Sequence, residues 1–158
     1  VAVKPIPDGY HSVTPYLIIK GVDEALEFYK KAFGAQELLR VPGPGGKIMH
    51  AEMKIGDSPI MMSDEWPEAG FTGPLTRGGT TVSILIYCPN VDAFVDRAVT
   101  AGVKILKPLQ NQFYGDRSAT FSDPYGHIWT AATHVEDVSN EEMAKRMAAM
   151  KDKGGHCA

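Results

Sequence analysis

The sequence predicts an α+β fold built from two βαβββ modules, on three observations. The first is the stretch 115–134 (GDRSATFSDPYGHIWTAATH), two runs rich in Thr, Phe, Trp and Ile joined by Asp123-Pro124-Tyr125-Gly126. Such runs suit strands. Pro at the second turn position presets φ, and Gly at the fourth accepts the backbone that the next strand needs. The second is a weaker copy of this hairpin at 47–64, turning at Gly56-Asp57-Ser58-Pro59. The third is that the same series precedes both hairpins. Val22-Asp23 falls on Val91-Asp92, Gly34 near Gly102, Gly56 on Gly126 and Ile60 on Thr130. Matched elements in one order point to an internal duplication.

Residues 1–11 form a polar, Pro-containing leader, and 13–20 (VTPYLIIK) read as a buried strand ended by Gly21. Pro15 has to sit near its start or at a sheet edge. Val22, Ala25, Leu26, Tyr29 and Phe33 then fall at helical spacing, which places one helix face on a sheet. Gly34 stops that helix, 36–41 is a strand, 42–46 a loop, and the first hairpin completes a module over 12–65. Residues 66–79 (WPEAGFTGPLTRGG) have no period and read as a linker or flap. The second module, 80–135, opens with a strand over 81–88. Asn90 is the N-cap of a helix carrying Val91, Phe94, Val95 and Ala98. A strand over 103–106, a loop over 108–114 and the second hairpin follow. A last helix over 139–151 begins with a Ser139…Glu142 capping box. Its Met143, Met147 and Met150 stripe is expected to dock on the protein's own core or on a second subunit.

The chain of 158 residues is 44% apolar and 22% charged with net charge −3, an ordinary globular balance. No basic stripe is present, which argues against a nucleic-acid partner. No apolar run approaches the roughly 20 residues that span a bilayer, so no membrane partner is expected. The start Val1-Ala2-Val3-Lys4-Pro5 leads into polar sequence and predicts no signal peptide. Cys88 and Cys157 are neither a metal pair by spacing nor a disulfide framework, so a reduced, cytoplasmic setting is the expectation.

Two βαβββ modules, the helix VDEALEFYKKAFGA and the hairpin FSDPYGHIW together resemble the vicinal oxygen chelate superfamily of glyoxalase, bleomycin-resistance and extradiol-dioxygenase proteins. The resemblance covers about 12–135. It implies that each module curls its sheet into a trough and that two troughs, paired within a chain or swapped between two in a homodimer, enclose a cavity. In metal-using members the ligands come from the first and last strands of each module. Those places fall here at Thr14, Ile60 (or Met61 with a one-residue slip), Ser83 and Thr130. None is His or a carboxylate, so no cofactor is expected there.

Alternation along the strands defines the trough walls. Following Thr130, it points Ile128, Ala132 and His134 inward and Trp129 and Ala131 under the helices. The repeat then adds Ile60, Met62 and Asp64. The other strands contribute Thr14 and Tyr16, Ser83 and Tyr87, His50 and Glu52, and Ser118 and Thr120. This mixed wall suits a small organic ligand. His50 and Glu52 share a face about 7 Å apart along the strand. A carboxylate beside an imidazole readies it as general acid or base. With His134 the pair is also the candidate set for a divalent metal at a displaced site. Arg117 is expected to pair structurally, and Asp64-Glu65 beside Trp66 form an acidic-aromatic rim. The expectation is therefore a small-molecule-binding protein; the alternative is a glyoxalase-like lyase or isomerase, or a dioxygenase-related enzyme, working through His50 and Glu52.

Overall fold

The computed structural model describes residues 3–152; His156 and Cys157 lie outside them. The first module runs β1 (Tyr16–Ile19), α1 (Val22–Phe33), β2 (Gln36–Pro42), β3 (Ile48–Ile55) and β4 (Ser58–Asp64). A short helix α2 (Pro74–Arg77) follows. The second module runs β5 (Ser83–Tyr87), α3 (Val91–Ala101), β6 (Lys104–Asn111), β7 (Asp116–Ser122) and β8 (Ile128–His134), and α4 (Asn140–Asp152) follows. The sheets have the equivalent orders β1-β4-β3-β2 and β5-β8-β7-β6, each with one parallel pair and otherwise antiparallel pairs.

Local chemistry accounts for these elements. Alpha1 carries Asp23 and Glu24 in its first turn and Lys30 and Lys31 in its last, the order that suits the helix dipole. Its N-terminus is capped from a distant strand: Asp64 Oδ1 accepts from the N–H groups of Gly21 (2.8 Å) and Val22 (3.2 Å). For α3 the cap is the expected Asn90, whose side chain accepts from Ala93 N at 3.0 Å. Pro15 precedes β1, an edge strand, and its carbonyl accepts from Met61 N. The second-module strand expected over 103–106 is longer. Beta6 runs through Pro108 to Asn111, because it is the outer strand of its sheet and a missing N–H costs nothing on the solvent side.

The helix faces of both modules share one core. Phe33 of α1 stacks on Phe94 of α3 with ring centroids 5.6 Å apart and meets Phe121 and Trp129 of the second sheet. Burying an aromatic of this size stabilises by roughly 1.5–3 kcal/mol. At its centre Asp123 is buried and accepts from Tyr29 Oη (2.6 Å), Trp129 Nε1 (2.8 Å) and the N–H groups of Tyr125 and His127 (2.9 Å each). Tyr29 belongs to the first module and Trp129 to the second, so one carboxylate joins them. Burial, reinforced by Asp123, raises the Tyr29 pKa well above that of a free phenol.

The segment 66–79 has more structure than a linker. Trp66 and Phe71 form an isolated bridge, and α2 packs on the second hairpin. Gly126 sits at φ +88°, and a Cβ there would lie 2.9 Å from Pro74 Cβ. Glu65 is buried and accepts from Gly73 N at 2.6 Å. Lys47 donates to the Glu65 carbonyl and sits over the Trp66 ring, 4.4 Å from its centroid. Asp64, Glu65 and Trp66 are thus tied into the fold rather than presented as a rim.

Candidate functional site

Strand register decides which side chains face each trough. Glu52 pairs with Met61 and Met61 with Tyr16, so Tyr16, His50, Glu52 and Met61 share the face turned from the helices. Two expected members fall elsewhere. Met62 is wholly buried under the helices, and so is its neighbour across the hairpin, Ala51. Asp64 is buried with its carboxylate spent on Gly21, Val22 and Ile48 N–H groups. The cause is a one-residue difference between the hairpins. Thr120 pairs with Thr130 but Glu52 with Met61, so matching Ile60 to Thr130 moves every β4 side chain to the wrong face. Ile60 accordingly lies in the core and Met61 takes the trough position.

His50 and Glu52 are brought together within a longer chain of contacts. His50 Nε2 lies 2.9 Å from Glu52 Oε1, and Tyr16 Oη lies 2.9 Å from His50 Nδ1. Tyr10, from the leader, donates to Glu52 Oε2. The His50 contact first, and then Tyr10, hold the Glu52 carboxyl below its ordinary pKa, so it is an ionised acceptor. That assigns the proton of a neutral His50 to Nε2 and leaves Nδ1 accepting from Tyr16. Tyr10 was not foreseen, because nothing in the sequence says where the leader folds back.

In the second trough, Ser118, Thr120 and Thr130 line a cavity of about 470 Å³ together with Leu85 and Tyr114. Thr120 and Thr130 hydroxyls lie 3.0 Å apart. Met150 of α4 closes part of this cavity. Arg146 of the same helix pairs with Glu136 and donates to the Phe113 carbonyl. Further along the same face Asp116 is buried and organises a second polar group. Its Oδ2 accepts from Tyr87 Oη (2.8 Å), and its Oδ1 faces His134 Nδ1 (2.8 Å). Asp137 sits 2.9 Å from His134 Nε2, and these two carboxylates, Asp137 foremost, raise the His134 pKa. Alternation continued two residues back from Ser118 reaches Asp116. Its neighbour Arg117 forks onto Asp92 of helix α3, a structural pairing as expected.

Thr14 precedes β1 and is half-buried; Ser83 opens β5. The four usual ligand positions thus carry Thr14, Met61, Ser83 and Thr130, a set that offers hydroxyls and a thioether and does not fit a divalent metal. Among the described residues no group of three or more His, Cys, Asp or Glu side chains is placed to hold a metal ion. His50, Glu52 and His134 are therefore not gathered into a displaced site within the chain.

Comparisons with known proteins agree with this architecture. An uncharacterized protein of Mycobacterium tuberculosis, Rv0887c, is 36% identical over 144 residues, covering 89% of this chain and 85% of that one. TioX from Micromonospora is 26% identical, with a TM-score of 0.63 over 82% of this chain and all of that one. The Listeria monocytogenes fosfomycin resistance protein FosX, solved with Mn(II) and sulfate, shares the fold at 21% identity, with a TM-score of 0.60 over 87% of this chain and 97% of its own. The model of the Glyoxalase/Bleomycin resistance protein/Dioxygenase superfamily matches residues 10–131. With the duplicated modules already in view, the chain belongs to that superfamily.

Proposed function

We propose that the protein binds a small organic molecule in a cavity completed when the trough of one module covers that of another in a homodimer, with no metal at the usual positions. The observation that carries this reading is that both trough faces hold ordered polar groups on apolar walls, yet point away from the chain's own core. Tyr16, Leu85 and Tyr87 are 48%, 49% and 63% exposed, and they flank the His50–Glu52 and Asp116–His134 groups. Apolar walls with a few convergent polar groups are the usual make-up of a ligand site. A fold-mate, a mutant of FosX, has been solved with Mn(II) and the small organic acid 1S,2S-dihydroxypropylphosphonic acid together.

A second reading is favoured by the Tyr16–His50–Glu52 chain. Glu52 orients His50 and stabilises the imidazolium formed when Nδ1 takes a proton, the arrangement of a general base. Removing a proton beside a carbonyl and returning it at a neighbouring atom is isomerase or lyase chemistry of the glyoxalase type. Sedimentation and a thermal-shift screen of small organic acids, bases and glycopeptides test both readings, with elemental analysis alongside. A dimer stabilised by an organic compound, free of stoichiometric metal, is the expected result. A monomer, or one nickel, zinc, manganese or iron ion per chain, overturns the proposal. His50→Gln separates the two readings: lost binding supports a binding protein, and retained binding with lost turnover supports the enzyme.

A further inference from the structure

Residues 72–74 and 77–81 line, with Ile18 and the His127 ring, an open pocket of about 600 Å³, in which Arg77 and Thr81 are exposed. Its lining contains no Asp or Glu, and its one arginine is Arg77. Arg77 is oriented from behind. Its Nε donates to the Thr72 carbonyl and Nη2 to the Gly70 carbonyl, both at 3.1 Å. Among the described residues Nη1 has no protein acceptor and no carboxylate pairs with this guanidinium. Arg40, Arg117 and Arg146, by contrast, are each held by carboxylates. The hydroxyls of Thr72 and Thr81, in the same lining, also have no protein partner among the described residues. Gly78 and Gly79 leave room beside them. His127 directs Nε2 at the Ile18 carbonyl (3.3 Å), and its burial favours the neutral ring.

The pocket opens onto a different environment. Thr80 and His127 also line a neighbouring cavity of about 630 Å³ that passes Tyr16, Val82, Leu85 and Ile128 between β1 and β5. A preset guanidinium and two unengaged hydroxyls thus stand at one end of an apolar groove. A fixed fork of N–H groups of this kind matches carboxylate and phosphate oxygens.

We propose that this is an anion subsite: the carboxylate or phosphate of a small amphipathic organic acid sits on Arg77, Thr72 and Thr81, and its apolar body lies between β1 and β5. Neither His50 nor Glu52 lines the Arg77 pocket, but Tyr16 and Leu85 of the groove also belong to the troughs, so the proposal deepens the small-molecule reading above and rests on it.

Amide-resolved NMR titration with octanoate, octyl phosphate and uncharged octanol tests it on the full chain, Arg77→Gln and Arg77→Lys. Saturable shifts over 72–81 and at His127 are expected with an acid, and the tighter of the two acids identifies the head group. Loss of the charge-assisted contact weakens Arg77→Gln about tenfold or more. Arg77→Lys keeps the charge but not the two-carbonyl fork, and is expected to bind more tightly than Arg77→Gln. The proposal is overturned if neither acid shifts these amides by about 10 mM. Equal binding of octanol, or of Arg77→Gln and the unchanged protein, also overturns it. So does equal loss in both variants, which would assign the effect to flap geometry alone.

Discussion

Replacing Asp123 by alanine tests whether one carboxylate fastens the two modules together. The substitution leaves four donors without an acceptor: Tyr29 Oη, Trp129 Nε1 and the N–H groups of Tyr125 and His127. Both aromatic residues are fully buried, so water does not readily replace the lost oxygen atoms. An unsatisfied buried donor costs about 1–3 kcal/mol, and three of the four are buried while the Tyr125 N–H is part-buried, which makes the low end of the loss about 3 kcal/mol. That is a large share of the roughly 5–15 kcal/mol that holds a domain together. Asp123→Asn gives a graded control. It keeps one oxygen for the two backbone donors but turns an amide N–H₂ toward the Trp129 indole N–H, for a loss of roughly 2 kcal/mol. Urea unfolding followed by far-UV circular dichroism reads both, with the midpoint falling and the slope unchanged. An alanine variant within about 1 kcal/mol of the unchanged protein would refute the reasoning.

Two further outcomes follow from single sites. Gly126→Ala forces a side chain into a left-handed backbone, costing roughly 1–2 kcal/mol, and drives its Cβ against Pro74. Limited proteolysis within 66–79 should accelerate and the melting temperature fall; an unchanged digestion pattern would show that α2 is not seated by that glycine. His134 lies between Asp137 and Asp116, which raise its pKa above the usual 6.5. A native pKa above the unfolded one contributes stability that is full below about 6.5 and is lost as pH rises through the native value. NMR titration of the ring should therefore give a midpoint above 6.5 that drops in Asp116→Asn, and an unshifted midpoint would contradict the geometry.

Much of the molecule was legible in the residues. The two amphipathic helices, the Asn90 and Gly102 caps of α3, and the Asp123–Gly126 turn follow from local signals that do not depend on distant contacts. The His50–Glu52 pair was legible for the same reason, since alternate residues of one strand share a face. The errors came where a non-local fact sets the answer. Met62 and Asp64 were assigned to the wrong side of β4 because a hairpin one residue shorter than its copy is invisible to glycine matching. Beta6 was cut short at Pro108 because only its place at the sheet edge makes that proline harmless.

By itself, then, the sequence determined the duplicated α+β architecture. It did so because periodicity, turn chemistry and residue identity are written position by position. Tertiary structure alone decided that Tyr10 and Tyr16 complete the His50–Glu52 group, that Asp116 gathers Tyr87 with His134, and that Arg77 faces a pocket without a counter-charge. These partners come from separate strands and loops, and only folding fixes which of them meet.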